Sequence, residues 1–528
     1  MANKLELQWL GKTKNENVEP RLLIEDPSKS FEKHSDGLFD YDSTYENVLI
    51  HGDNLLALKA LLHDYSGRIK CIYIDPPYNT GAAFEQYDDN VEHSTWLNLM
   101  YMRLILLREL LMNDGSVWIT LDESEYHYLK VVCDEIFGRS NYKGTAIWQS
   151  SVQSKGYGGS FSLSHNYTMV YGKTAAFGIG LLERTEKHNR NYHNPDNDPR
   201  GPWRPCDVRN SLVRPNLMYD ITTPSGKVIH HPPKGWRFSK ETFEKELAEG
   251  KIIFSDDETR IIRKIYLCDQ EGRVPETIWL ADEVGDTREA MNEMKALFPN
   301  RPFATPKPER LIQRVLQLAT KPGDIVLDSF LGSGTTAAVA HKMKRRWIGI
   351  EMGDQAYDYC KVRLDKVIEG KDPNGITKIC QFEGGGGYKF YELAPTLINE
   401  DAFGQAVINK DYNSDMLAAA VAIHEGFKYE PNKDCYWKQA KNENNTYLYV
   451  TTNHINEEII NSIKAEMKED EFLVLVCKSY DEILRRASRN ITIKKIPQSL
   501  LKNCQFGVDN YNLNIVCPPE YEYEEEDE

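Results

Sequence analysis

With 528 residues the chain has room for roughly two to four domains, and 41% hydrophobic against 27% charged residues is the balance of a globular protein with full-sized cores. No run of about eighteen apolar residues occurs, and the opening MANKLELQWLGKTKNE has no basic segment followed by an apolar one, so neither a membrane span nor a secretion signal is expected and the cytoplasm is the expected compartment. The formal charge of -16, from 64 Lys and Arg against 80 Asp and Glu, speaks against a polyanionic partner only as a sum, because part of the excess sits in the tail EYEYEEEDE and one basic face is enough.

In chain order, a polar, irregular leader over 1–44 gives way to ENVLIHGDNLLALKALLHDY. This predicts a strand over 48–50, Asp53 at a helix cap, and Leu55, Leu56, Leu58, Leu61 and Leu62 at helical spacing. IKCIYIDPPYNTG follows, Ile69 to Gly81. Its apolar run predicts a buried strand of a parallel sheet, and Pro76 and Pro77, lacking amide donors, forbid continuation. HSTWLNLMYMRLILLRELLMNDGSVWITLD predicts a long amphipathic helix closed by Asn113, Asp114 and Gly115, then a strand over 117–121. ESEYHYLKVVCDEIFG predicts a helix stopping at Gly138, and strands are expected in TAIWQ and in NYTMVYGK, Asn166 to Lys173. The alternation is that of an α/β domain of parallel type over 45–175.

Over 176–300 the chain is rich in Pro, Gly, Asn, Arg and Trp and loses periodicity. The α/β pattern returns over 301–383, with a helix over 309–319, a strand over 325–327, a glycine turn, a second helix and a second strand ending at Glu351. After FEGGGGYKF, read as a glycine linker, residues 384–528 predict a small α/β module: YLYVTT, NEEIINSIKAEMK, EFLVLVCKSY, DEILRRASR and NITIKKI as strand, helix, strand, helix, strand.

Two stretches carry chemistry, and each has a bland alternative. The first, Asp75, Pro76, Pro77 and Tyr78, is a strand end that is either a turn or a site. In the second, LDSFLGSGTTAAVA, Asp328 ends a strand, Gly332 and Gly334 make the turn, and Thr335 and Thr336 open a helix whose free amides and close backbone suit a ligand or only a tight turn. A Walker loop is excluded because no GK followed by Ser or Thr closes the turn. Glu351, about twenty residues on at the end of the next strand, suits a ribose diol. Arg184, Lys187, Arg190, Arg200, Arg204, Arg209 and Arg214, interleaved with His188, Tyr192, His193 and Trp203, are candidates for phosphate and base contacts. The ten cysteines stand singly, without CxxC pairs or Cys/His clusters, so no metal site is expected.

Taken together, the DPPY strand end, the glycine turn with its acid and the Pro/Arg-rich insertion resemble the amino-methyltransferases of DNA, in the subgroup where the catalytic motif precedes the cofactor motif. HGDNLLAL, SHNYTMVYGK and TPKPERL are lesser marks of the same resemblance, which covers about residues 45–175 and 300–365. The DPPYNTG string, the order of parts and the C-terminal extension look most like the modification subunit of type III restriction-modification systems; Asn166 departs, since an acid is expected after the histidine.

The resemblance implies a Rossmann-like methyltransferase sheet flanked by helices, an inserted irregular target-recognition domain over 176–300 and a C-terminal module for dimerisation or partner docking. It implies a bacterial, cytoplasmic, S-adenosylmethionine-dependent enzyme that methylates adenine N6 on a base flipped out of double-stranded DNA. The implied partners are a second copy of the chain and a restriction (helicase-nuclease) subunit. Asp75 and the Pro76 carbonyl would accept the target amine, Pro77 would stiffen the turn, and Tyr78 would stack on the base. The donor would lie against Phe330, Gly332 and Gly334, with Asp328 and Thr335 nearby, Glu351 on the ribose and Asp53 near the adenine. The bland alternatives are Phe330 as a core aromatic, Asp53 as a helix cap, and Thr335 and Thr336 as a helix start, while Lys307 reaches either the cofactor or only a neighbouring carbonyl. A cytosine-N4 methyltransferase is the rival within enzymes, with Asp75 in place of Ser favouring adenine; a DNA-recognition subunit without turnover is the rival outside them.

Overall fold

The apolar run before Asp75 is buried in the middle of an eleven-stranded sheet. The computed structural model describes residues 5–12, 18–33, 47–79, 93–154, 161–401, 403–442, 444–486, 489–496, 498–501 and 506. In chain order the sheet takes β1 (Leu23–Glu25), β2 (Phe31–Lys33), β3 (Val48–His51), β4 (Ile69–Ile74), β5 (Leu111–Leu121), β6 (Tyr142–Trp148), β7 (Asn166–Gly172), β8 (Ile278–Trp279), β9 (Ile325–Asp328), β10 (Arg346–Glu351) and β11 (Gly386–Leu393). Their spatial order is β1-β11-β3-β10-β9-β4-β5-β7-β6-β8, with β2 also on β11. From β11 to β5 every neighbour is parallel. Beyond that run, β7 is antiparallel to β5 and β6, so the sheet is mixed where pure parallel pairing was expected.

Helices α1 (Asn54–Tyr65), α2 (His93–Leu110) and α3 (Glu123–Cys133) share one apolar core with Ile50, Ile72, Ile74, Val117 and Ile350. Alternation along β4 turns Cys71 and Tyr73 to the other face. Further on, α4 (Thr287–Leu297), α5 (Glu309–Ala319), α6 (Thr335–Lys342) and α7 (Val362–Ile368) complete the layers, with α5 packed on β4, β5 and α6. No helix among the described residues is long and apolar enough to cross a membrane.

Two expectations about this part of the chain are corrected. The leader contributes β1 and β2, and the glycine run is not a linker, because Gly386 and Gly387 already belong to β11. A Cβ at Gly386 would stand 2.7 Å from the His341 ring, and one at Gly387 2.7 Å from the Phe31 carbonyl oxygen, so small residues are required for strand packing and not for looseness. Asn47 ties this edge together: its amide donates to the Gly387 carbonyl at 2.9 Å and its oxygen accepts from the Trp347 amide at 2.9 Å. After β11, a five-stranded sheet with Thr446–Ile455, Phe472–Tyr480 and Ile491–Lys495 parallel follows the predicted order, although DEILRR makes only a 3-10 turn, Glu482–Arg486.

Residues 180–275 form a separate compact unit, and 276–300 fold with the sheet. The unit has a three-stranded antiparallel sheet of Trp203–Cys206, Ile252–Phe254 and Ile261–Tyr266, a helix over Lys240–Ala248 capped by Ser239, and a small core of Val208, Ile221, Trp236, Phe243 and Ile252. Leu182 bridges Arg273, which brings its two chain ends together.

Candidate active site

Four adjacent parallel strands, β3, β10, β9 and β4, end at the same edge of the sheet. Their ends therefore carry Asp53, Glu351, Asp328 and Asp75 side by side, about 4.8 Å per strand step, although the sequence separates them by up to 298 positions. Ligands of open α/β sheets bind at such carboxyl edges, where strand order reverses.

At the β4 end the turn is held from outside. Trp96 Nε1 on α2 donates to the Pro77 carbonyl at 2.8 Å, and Asn79, in the left-handed region at φ 59, donates to Glu125 at 2.6 Å. Glu125 also meets His93 Nδ1 at 2.7 Å, and burial raises its carboxyl above the ordinary range. The ammonium of Lys307 pairs with Asp75 Oδ2 and stands 5.1 Å from the centre of the Tyr78 ring. The Tyr78 hydroxyl lies near Asp75 and Asn166, but among the described residues neither it nor Asp75 Oδ1, both buried, makes a hydrogen bond of good geometry. Burial, and then the Asp75 charge, holds the Tyr78 phenol well above its ordinary value.

At the β9 end, Gly332 (φ 54) and Gly334 (φ 78) both take the left-handed backbone that favours glycine. A Cβ at Gly334 would press to 3.2 Å on the Cys360 Cα. Glu351 accepts the Gly332 amide at 2.6 Å and the Met352 amide at 3.2 Å. Asp328 accepts the Phe330 amide at 2.9 Å; complete burial pushes its carboxyl up to about 7, with the Asp75 and Glu351 charges adding to the rise. Asp53 caps α1 through the Leu56 amide at 3.0 Å and pairs with Arg103 at 3.2 Å.

Several predicted residues take up contacts the sequence did not specify. Lys307 meets Asp75, neither a carbonyl nor the glycine turn. Thr335 is buried, its hydroxyl accepting from Arg363 at 2.7 Å and facing Ser333 at 3.0 Å. Phe330 packs partly buried against the main core. In the 180–275 unit, Arg200 is tied to Asp198 at 3.0 Å and lies 4.3 Å over Tyr266, and Arg184 donates to Asn189 at 2.9 Å. Arg204 donates to the Tyr192 hydroxyl at 3.2 Å and the exposed Arg209 to Asp207 at 2.8 Å, and Arg190 and Arg214 are exposed as well.

Residues not singled out beforehand hold the site together. Arg103, fully buried, donates to Asn54, whose amide in turn reaches the Ser329 carbonyl at 2.7 Å, so α2 and α1 brace the turn after β9. A lone arginine inside the apolar run LMYMRLILL was the available signal. Lys342 pairs with Glu309 at 2.8 Å and Asp372 at 2.7 Å, and Arg363 with Glu309 at 2.9 Å; this buried network carries Thr335 from below, and no local spacing announces it.

Strand order, left-handed glycines and four clustered acids define a doubly wound α/β protein with a cofactor-type crevice at its carboxyl edge. The chain belongs to the DNA methylase family, whose model matches residues 69–362. It is 31% identical over 441 residues to a Haemophilus influenzae protein named "Probable type III restriction-modification enzyme HindVI Mod subunit", covering 72% of this chain and 57% of that one. The "Type III restriction-modification enzyme EcoP15I Mod subunit" of Escherichia coli is 28% identical over 497 residues, 78% of this chain and 74% of its own. The "Type III restriction-modification enzyme StyLTI Mod subunit" of Salmonella typhimurium is 32% identical over 323 residues, 55% of this chain and 49% of its own. The chain thus spans between about half and three quarters of the length of these relatives.

Proposed function

We propose that this chain is an S-adenosylmethionine-dependent DNA adenine-N6 methyltransferase and the modification subunit of a type III restriction-modification system. The observation that carries the reading is Asp75 at the end of β4, a carboxylate whose buried Oδ1 makes no well-formed hydrogen bond among the described residues, beside Tyr78 and one strand from the Asp328 turn. A buried acceptor left unpaired is costly, and a donor N–H from a substrate relieves it.

The amino group of adenine is a poor nucleophile because its lone pair is delocalised into the ring. Asp75 and the Pro76 carbonyl accept its two hydrogens and draw them out of the ring plane, while Tyr78 stacks on the flipped base. When bound, S-adenosylmethionine supplies an electrophilic methyl group on a sulfonium. The residues that would hold it fit: Glu351 as acceptor for ribose hydroxyls, Gly332 and Gly334 for close backbone approach, and Phe330 and Asp53 at the rim. Asp75 where a serine would favour cytosine supports adenine as the base.

The 180–275 unit is read as the target-recognition domain, with Arg190 and Arg214 among its exposed cations. A second copy of the chain and a restriction subunit are the proposed protein partners, and the similarity to Mod subunits supports that placement. The test is transfer of labelled methyl groups onto unmodified genomic DNA, with the modified bases mapped. Asp75→Ala is expected to abolish transfer, by at least about a hundredfold, with S-adenosylmethionine binding intact. Turnover retained in that variant, or label found on cytosine, would remove the proposal.

A further inference from the structure

Lys307 sits in the wrong place for a cofactor ligand. Its ammonium pairs with Asp75 Oδ2 and lies 5.1 Å from the Tyr78 ring centre, and both side chains are largely buried, 12% and 20% exposed for Lys307 and Asp75. The target amine and its ring are to draw on the same carboxylate, whose other oxygen, Oδ1, is the one left without a well-formed hydrogen bond among the described residues, and on the same aromatic face. An N–H donor on the carboxylate and a body against the aromatic face describe the lysine and the base equally well.

Both cannot stay. A cation held beside a nitrogen that becomes positive as it gains a methyl group, close to a cationic donor, would slow transfer by about a thousandfold at partly buried separations. The backbone around it is restrained, because Pro306 and Pro308 flank Lys307 and Pro308 caps α5. Movement is therefore confined to the four-carbon side chain, whose flexible stem suits it.

We propose that Lys307 occupies the seat of the target amine on Asp75 and Tyr78 in the resting protein and is displaced when the base enters; the inference rests on the methyltransferase reading above. The lysine is a positioning residue. It keeps Asp75 aimed while the site is empty of base, and it makes entry of any base compete with a charge-assisted hydrogen bond. A base that brings no N–H donor for Asp75 cannot replace what it removes, so the latch also selects for an amino group.

The full chain, Lys307→Met and Lys307→Arg are to be compared in methyl transfer onto unmodified genomic DNA, with S-adenosylmethionine binding measured separately by calorimetry without DNA. Removing the competitor leaves Asp75 without a partner until the base supplies one. Lys307→Met is expected to lower KM for DNA, raising kcat/KM about tenfold, the factor equivalent to one charge-assisted hydrogen bond. Lys307→Arg, which restores a cationic donor, is expected to return KM toward the wild-type value. A Lys307→Met chain with raised KM and reduced kcat/KM overturns the latch. So does one that binds S-adenosylmethionine about tenfold more weakly, since Lys307 would then serve the cofactor. A wild-type chain that transfers no methyl group to DNA removes the reading beneath the latch, and the latch with it.

Discussion

Asp328 shows what single residues at this edge endure. Its carboxyl is fully buried at a strand end, one strand from Asp75 and one from Glu351, and is pushed up from 3.8 to about 7. A folded-state value above the unfolded one means that the folded chain binds the proton more tightly. Its contribution to stability is therefore complete below about pH 4 and is lost as pH rises through about 7. Asp328→Asn does not titrate and can still accept the Phe330 amide. The variant should gain stability relative to wild type between pH 4 and pH 8, by up to about 4 kcal/mol. Urea unfolding at the two pH values checks this, and a difference that does not grow with pH contradicts it. Gly332 and Gly334 belong to the same scale: both take left-handed backbone that glycine adopts without strain and a side chain at either position would not.

Among the elements, β11 is the least expected. It begins within the glycine run, yet Tyr388 and Phe390 are buried, Lys389 to Glu392 pair with β3, and the Gly385 carbonyl faces His341 Nε2 at 2.8 Å. The imidazole is deeply buried and its ordinary value lowered by that burial, so it remains neutral in this contact. A chain ending at Glu383 should lose the edge of the sheet along with two buried aromatics, each worth about 3–5 kcal/mol on truncation. It should show no cooperative melting transition by circular dichroism, whereas a chain ending at Thr396, which keeps β11, should melt cooperatively. Equal melting of the two would mean that β11 is dispensable.

At the scale of the whole molecule, the net charge of -16 says little about where DNA would lie. The arginines of the 180–275 unit differ in their surroundings. Arg200 is bound to Asp198, which also takes Lys264 at 2.8 Å and the Tyr266 hydroxyl at 2.7 Å; those partners hold the Asp198 carboxyl well below the ordinary range, Arg200 first among them. Arg190 and Arg214 stand in solvent. Replacing either exposed arginine by Ala should weaken DNA binding for all sequences and reduce the salt slope by about one per lost phosphate contact. Arg200→Ala should instead lower the thermal stability of the unit and leave the slope unchanged. Affinity measured against salt concentration, with a melting curve for each variant, separates the two, and the reverse pattern would contradict the assignment.

The sequence by itself determined the alternation of strands and helices, the break at Asp75, the glycine turn and the acid at the end of β10, because each is written in neighbouring residues: period-two or helical apolar spacing, prolines without amides, glycines at a turn. It also carried the resemblance that led to the family. Only the tertiary structure decided the rest. Parallel pairing of β4, β9, β10 and β3 brought acids from distant parts of the chain to one edge, the antiparallel β7 appeared because a strand covered on both faces shows the apolar run expected of a parallel one whichever way it pairs, and a run of glycines became packed strand because the nearest obstacles, Phe31 and His341, lie far away in sequence. The Lys307 contact with Asp75 belongs to this second kind, since a buried carboxylate takes the cation that three-dimensional packing brings within reach.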